Sequence, residues 1–504
     1  MEKVVIIGSG LGGLTCADIL QKNGFSVTVL EMEAQYGGCL QCFRRGGVKF
    51  ETGMHYIGSA LPGQTMNQVM RYFGMDGKVR LQSLDRDAYN TISLAGEHFR
   101  YANGREAFVE TMAGYFHGHK DELVRYVAVV DSIAAASSLT SLTSSERDIA
   151  ASTQYQTLAM DSALEDLISE PMLRNVLAGD LPLYSAERGK TPFSQHAFIM
   201  DFYNRSAFRI AGGSDSIAKA LVEDIESHGG EVLTRKKAVK IRCNDVKATG
   251  VETLDGSFYE ADYVISAIHP ARMLELLDTK LIRPAFRSRI NSIHQTSGVF
   301  AVYVKFKKET VPYMNTNFFG YRGSSPWDCE HYTKDDWPKG FLYMQMCPKE
   351  NPVWAESGVV LSYMNFSEVE KWLGTKVGHR GEDYEFFKRS RAEVLLAEVE
   401  RQLPGFLSGV EQWWTSTPLT YLDYTGTEGG SMYGVAKDVT AGAAGRVPYR
   451  TKIPNLLLAG QNVNSHGFLG VTVGTIVTCS ALVPADEIYR QIMMSEGLDA
   501  YDIR

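Results

Sequence analysis

Near its start the chain carries Gly8-x-Gly10-x-x-Gly13, with Gly12 inside the motif, and Glu31 follows downstream. In this spacing Gly8 permits a tight turn and Gly10 lets backbone approach a pyrophosphate. Gly13 lets a helix pack closely on a strand, and the acid can accept hydrogen bonds from ribose hydroxyls. His55 and Tyr56 are neighbouring groups able to give or take a proton, and His466 in Asn464-Ser465-His466-Gly467 is a third. For His55 the competing reading is a hydrogen-bonded structural histidine; for His466 it is local bonding in a glycine-rich turn. Cys39-x-x-Cys42 has the spacing of a redox pair or half a zinc site. No second pair completes a zinc site, so no metal is expected and two buried thiols are the favoured reading.

The elements around the glycines form a complete βαβ unit. An apolar strand at 4–7 runs into the motif, and a helix follows with Leu14, Ala17, Ile19 and Leu20 as its apolar face. Gly24 ends it, and a second strand at 27–30 delivers Glu31. Strand, helix, strand and acid in this order make the motif a dinucleotide site rather than a chance turn.

Three later features select FAD over NAD. Gly37-Gly38 sits just past the ribose-binding acid, where backbone can pass the phosphates and ribityl chain. Residues 212–270 read as a helix to about His228, then strands at 231–233, 238–243 and 250–253, a turn at Asp255-Gly256 and a return strand at 263–267. Val239 is placed there to hydrogen-bond an adenine through its backbone. The C-terminal block has an apolar strand ending at Gly460, then Gln461 and Asn462, then a helix beginning near Gly470. That helix start can stabilise negative charge on a reduced flavin. No second complete fingerprint marks a separate NAD(P)H domain.

Bulk properties narrow the class. The chain has 504 residues, enough for two to four domains, and is 44% hydrophobic with a net charge of −8. That charge speaks against a nucleic-acid partner. The fingerprint begins beside Met1, which leaves no room for a targeting peptide, and no apolar run is long enough to span a bilayer. With seven cysteines, an odd number, a cytoplasmic protein with reduced thiols is expected.

Taken together, these residues resemble the FAD-dependent phytoene desaturase, carotenoid isomerase and retinol saturase family, with the closest likeness to the retinol saturase branch. The segment 46–58, GGVKFETGMHYIG, carries most of that likeness. The block 116–126, Pro418-Leu419-Thr420, Gly429-Gly430-x-x-Tyr433-Gly434 and Ala459-Gly460-Gln461-Asn462 add to it. Departures are His117 for a proline, Cys39 for an arginine, and Asn462 or Gln461 for an acid.

The resemblance implies an α/β fold: a discontinuous Rossmann-type FAD domain of glutathione-reductase type (1–64, 206–284, 441–504) with an inserted α+β substrate domain (65–205, 285–440). It implies redox chemistry on a carbon–carbon double bond of an apolar isoprenoid, with saturation preferred and His55 or Tyr56 as proton donor. Desaturation and flavin-dependent cis–trans isomerisation stay open. So does a non-enzymatic prenyl-lipid carrier like the Rab GDP-dissociation inhibitors. The implied partners are a lipophilic substrate, an external electron donor or acceptor, and a membrane surface touched peripherally.

Overall fold

The computed structural model describes residues 1–137 and 155–495; parts of the expected ranges 65–205 and 441–504 therefore lie outside the described residues. Five parallel strands form one sheet in the order Glu231–Leu233, Ser26–Leu30, Lys3–Ile7, Tyr263–Ser266, Leu456–Leu458. Its central strands are nearly continuous apolar runs, as expected of a parallel sheet covered on both faces. Helix Leu11–Lys22 crosses between the first two strands of the chain, and helices Asp215–Ser227 and Gly467–Cys479 pack against it. Thr15 Oγ1 meets Thr475 Oγ1 at 3.1 Å in that buried contact. Strand Lys3–Ile7 lies between Ser26–Leu30, the next strand in the chain, and the sequence-distant Tyr263–Ser266, so the crevice beyond its carboxyl end is a topological switch point, where ligands bind open α/β sheets.

A second sheet of seven strands runs Val410–Ser416, Gly298–Phe306, Ser357–Met364, Gly340–Gln345, Asn317–Tyr321, Asn90–Leu94, Glu97–Tyr101. Its pairs are antiparallel except Asn317–Tyr321 with Asn90–Leu94. Helix Glu382–Gln402 covers one face through Leu395, Leu396 and Val399. On the other face lies a core shared with helices Lys120–Ala135, Met160–Leu167, Pro171–Leu177 and Phe193–Arg205.

A three-stranded sheet joins the two parts: Ile57–Gly58 and Arg80–Ser83 both pair with Ala207–Ala211. The expected boundary at residue 64 does not coincide with a break in packing. Helix Thr65–Tyr72 buries Met66, Val69 and Met70 in the core of the parallel sheet, because its apolar stripe faces that way. Ile290 and Ile293, past the expected boundary at 284, likewise pack with that half. Among the described residues, no helix is long and apolar enough to cross a membrane.

Candidate functional site

The glycine loop after the first strand opens into a cavity of about 590 Å³, within the range usual for small-molecule sites. At one end lie Gly8, Gly10, Gly12, Glu31, Gly38 and Gly460. Each close approach here has a steric cause. A Cβ on Gly12 would lie 2.7 Å from the Gly460 Cα, and one on Gly38 would lie 3.0 Å from the Gly10 Cα. A Cβ on Gly10 would meet nothing within 4 Å, so that position faces open space. Gly10 caps helix Leu11–Lys22 without a side-chain acceptor, and no acid stands in the first turn, so the helix's first N–H groups are available to an anion.

Glu31 is buried at the end of the second strand. One of its oxygens accepts from Ser9 N (3.1 Å) and Ser9 Oγ (2.5 Å), and the other from Glu33 N (2.8 Å). These bonds fix a carboxylate on the cavity wall with lone pairs left for a ligand's hydroxyls. On the opposite side, Asn462 Oδ1 accepts from Val435 N at 2.9 Å. A side chain on Gly434 would collide with that oxygen. The amide standing in place of the family's acid thus has one acceptor committed while it lines the cavity beside Gln461. The uncapped helix, the buried acid and the glycine cradle fit FAD.

Four expected contacts lie off the cavity wall. Gly13 supports packing, since a Cβ there would overlap the Gly8 carbonyl oxygen. Gly37, at φ 115°, donates its N–H to Ser9 O at 3.1 Å and so places Gly38 rather than lining the site itself. Val239 sits at a register shift between Ala238 and Lys240, with its side chain exposed; its neighbours Lys237 and Ala238 line the cavity instead. The C-terminal helix starts at Gly467, earlier than expected, so Gly470 is inside it, packed on Ser465. Gly467, Phe468 and Val471 take the wall.

His55 and Tyr56 both line the cavity. His55 Nδ1 lies 3.4 Å from Glu51 Oε2, and Glu51 Oε1 accepts from Ser214 N at 3.1 Å. The buried carboxylate orients the ring, and Nε2 makes no hydrogen bond among the described residues. Arg209, also buried, donates to the His55 carbonyl (3.4 Å) and the Thr316 carbonyl (3.1 Å), fixing the loop. The Tyr56 ring lies on Tyr203 with centroids 4.4 Å apart, and its hydroxyl has no hydrogen-bond partner among the described residues. Burial raises its pKa far above the ordinary value, which keeps it protonated.

His466 is not on the wall. Its ring stacks on Tyr433 at 4.5 Å, and Tyr433 is the group that faces the cavity. Burial, with Lys437 next, pushes His466 down to about 3, so it stays neutral. It therefore supports Tyr433 rather than reaching a ligand. All seven cysteines are free. Cys39 lines the cavity, while burial and then Glu51 push the Cys42 thiol up to about 12. Neither is an activated thiolate.

The far end of the cavity is the face of the seven-stranded sheet. Val299, Tyr321, Leu342, Met344, Leu361 and Tyr363 line it, and this face contributes no charged side chain. Tyr203, Tyr433, Tyr421 and Met432 complete the walls. The sequence showed only an excess of aromatic and methionine residues here; strand pairing decides which of them face inward.

Comparison with known proteins agrees with this geometry. Residues 11–477 match the family described as flavin containing amine oxidoreductase, and the chain belongs to it. It is 25% identical to the all-trans-retinol 13,14-reductase of Rattus norvegicus over 95% of this chain and 85% of that protein. It is 24% identical to prolycopene isomerase 2, chloroplastic, of an Oncidium hybrid cultivar over 96% and 84%. The likeness to the retinol saturase and carotenoid isomerase group therefore spans the chain. An oxidoreductase structure from Methanosarcina mazei superposes with a TM-score of 0.64 at 15% identity, covering 95% of this chain and all of that one, which establishes the shared fold.

Proposed function

We propose that this member of the flavin containing amine oxidoreductase family reduces a carbon–carbon double bond in an apolar isoprenoid of retinoid or carotenoid type. The observation that carries the proposal is the uncharged, aromatic-rich sheet face forming one continuous cavity with the dinucleotide loops. A cationic amine would find no carboxylate on that face to balance its charge, whereas a polyene needs none.

Glu31 would hold the adenosine ribose, the Gly8–Gly12 loop and helix start the pyrophosphate, Lys237–Ala238 the adenine side, and Gly460–Asn462 the ribityl side. Bound FAD supplies two-electron hydride exchange. The chain's own part is to hold the polyene against the sheet, keep water out and deliver a proton from His55 or Tyr56, adjacent proton-bearing groups on the wall. Glu51 supports the His55 reading, since a carboxylate that orients Nδ1 also stabilises the imidazolium. Isomerisation without net redox is the second reading, favoured by the prolycopene isomerase likeness.

The proposal includes a cytoplasmic protein that collects substrate at a membrane surface and an external electron donor. Anaerobic incubation of the reduced flavoprotein with a lipid extract, followed by mass spectrometry, tests it. A product heavier by two hydrogens supports saturation, and one of unchanged mass but altered retention supports isomerisation. A colourless protein that takes up no flavin supports a lipid carrier instead.

A further inference from the structure

The last turn of helix Phe193–Arg205 is held from outside along its whole length. A helix leaves its final four carbonyls without partners of its own. Here each finds a donor on another element. Ser59 Oγ donates to the Phe202 carbonyl at 2.8 Å, and Asn103 Nδ2 to that of Tyr203 at 2.7 Å. Gly104 N donates to the Asn204 carbonyl at 2.8 Å, and Gln64 Nε2 to that of Arg205 at 3.4 Å. The loop that follows His55 and Tyr56 is locked against the same turn. A Cβ on Gly58 would lie 2.3 Å from the Phe202 carbonyl oxygen, and Ser59 holds a left-handed φ of 50°. A serine stays in that region only where its surroundings dictate it.

This turn fixes Tyr203 on the cavity wall beside His55 and Tyr56. The two stacked tyrosines present their hydroxyls differently. That of Tyr56 is sealed from the cavity as well as unpaired. That of Tyr203 also makes no hydrogen bond among the described residues, but the residue is half-buried and its oxygen is not sealed. Tyr321, Tyr421 and Tyr433 on the same wall donate to the carbonyls of Gly179, Thr52 and Pro182. Tyr363 belongs to the sheet face, and Tyr424 is exposed at the end of helix Pro418–Thr425. Tyr203 is therefore the wall tyrosine next to His55 whose hydroxyl is both unpaired and open. A hydroxyl facing an apolar cavity without a partner is costly, so its place there points to a bound molecule. Burial, with Asp180 next, raises its pKa above the ordinary phenol value, which keeps it protonated.

We infer that Tyr203 is a catalytic acid of the reduction: its hydroxyl faces the double bond and gives up the proton, with Tyr56 as the platform under its ring. The inference rests on the reductive reading above and moves the tyrosine's part in it from Tyr56 to Tyr203. Saturation consumes one hydride and one proton. The hydride, supplied by the reduced flavin, forms a C–H bond at one carbon. The Tyr203 O–H bond breaks as the C–H bond forms at the other, and the tyrosinate takes a proton from water once product has left.

Anaerobic single turnover of the reduced flavoprotein with an all-trans polyene tests the assignment. Because the hydroxyl has no partner, Tyr203→Phe should keep its flavin and its flavin spectrum, yet slow reoxidation by about 10²–10⁴-fold at saturating polyene. A fluorinated tyrosine at position 203, which ionises at lower pH, should bring an alkaline loss of rate into the pH profile. The same replacement at Tyr126, whose hydroxyl is committed to His196, should not. Wild-type rates in Tyr203→Phe, a larger loss in Tyr56→Phe, or equal profiles for the two fluorinated proteins would overturn the inference alone. So would a shifted flavin spectrum in Tyr203→Phe, which would mean that the hydroxyl pairs with the cofactor. A wild type that reduces no polyene would refute the reductive reading, and the inference with it.

Discussion

Replacing Asp180 by Asn should remove a defined piece of the protein's pH-dependent stability. Burial raises the Asp180 pKa to about 7 in the native state from an ordinary carboxyl value of 3.8. Below the unfolded value both states are protonated and the group contributes no difference. Between the two values the native state holds a proton that the unfolded chain has released, so stability falls as pH rises and levels off above the native pKa. Roughly three pH units at about 1.4 kcal/mol each give a loss of about 4 kcal/mol. At about 2.1 cal/mol/K per residue, a 504-residue chain changes Tm by about 1 °C per kcal/mol, so the effect is about 4 °C. The assay is the melting temperature of wild type and D180N from pH 4 to 8 at fixed flavin loading. Their difference should grow in favour of D180N as pH rises and flatten above neutrality. Parallel curves across this range would mean that Asp180 is compensated in a way the structure does not contain, and the reasoning would be wrong.

Other outcomes follow from the same geometry. Gly12→Ala forces a Cβ against the Gly460 backbone and should cost about 1–3 kcal/mol of flavin affinity, roughly 5- to 150-fold, read as flavin lost on gel filtration. His55→Ala should retain flavin but slow turnover by about 10²–10⁴ if the imidazole delivers the proton; full turnover removes it from the mechanism. Buried His196 has its pKa pushed down to about 3, so the native state lags in proton uptake and stability falls as pH drops below about 6.5. His196→Leu should remove that acid-side slope while leaving the Tyr126 hydroxyl unpaired and the Tyr184 hydroxyl with only Met160 Sδ at 3.4 Å, at about 1–3 kcal/mol by denaturant titration at neutral pH. Because all seven cysteines are free, Cys42→Ser should leave turnover unchanged and thiol counts independent of flavin redox state.

Local rules made much of the nucleotide half legible. The run from Lys3 to Glu31 and four of the strands between residues 231 and 266 fall within a residue or two of their expected places, because hydrophobic period and turn glycines are local signals; the short strand Phe258–Glu260 was missed. The errors came where tertiary packing decides. Helix Thr65–Tyr72 has an apolar stripe that fits either half, and only its docking against the parallel sheet assigns it. Val239 sits at a bulge that depends on how strands 238–243 and 248–253 align, so its neighbours Lys237 and Ala238 line the cavity. His466 was a candidate ligand contact because it sits just before the C-terminal helix, with local bonding in a glycine-rich turn as the competing reading; its ring packs on Tyr433, which takes the cavity wall. Asp180 left no signal at all, since an isolated Asp ordinarily reads as a solvated turn residue; its burial follows from the packing of the flanking Ala178 and Leu181 into the core under the seven-stranded sheet.

The central claim is that the apolar cavity presents a double bond, and not an amine, to the flavin. It is tested most directly by following flavin absorbance in two anaerobic mixtures: reduced protein with an all-trans polyene, and oxidised protein with a primary amine. The account predicts that the polyene reoxidises the flavin and gains two hydrogens, while the amine leaves the oxidised flavin unchanged. Bleaching by the amine, together with inert polyenes, would contradict it.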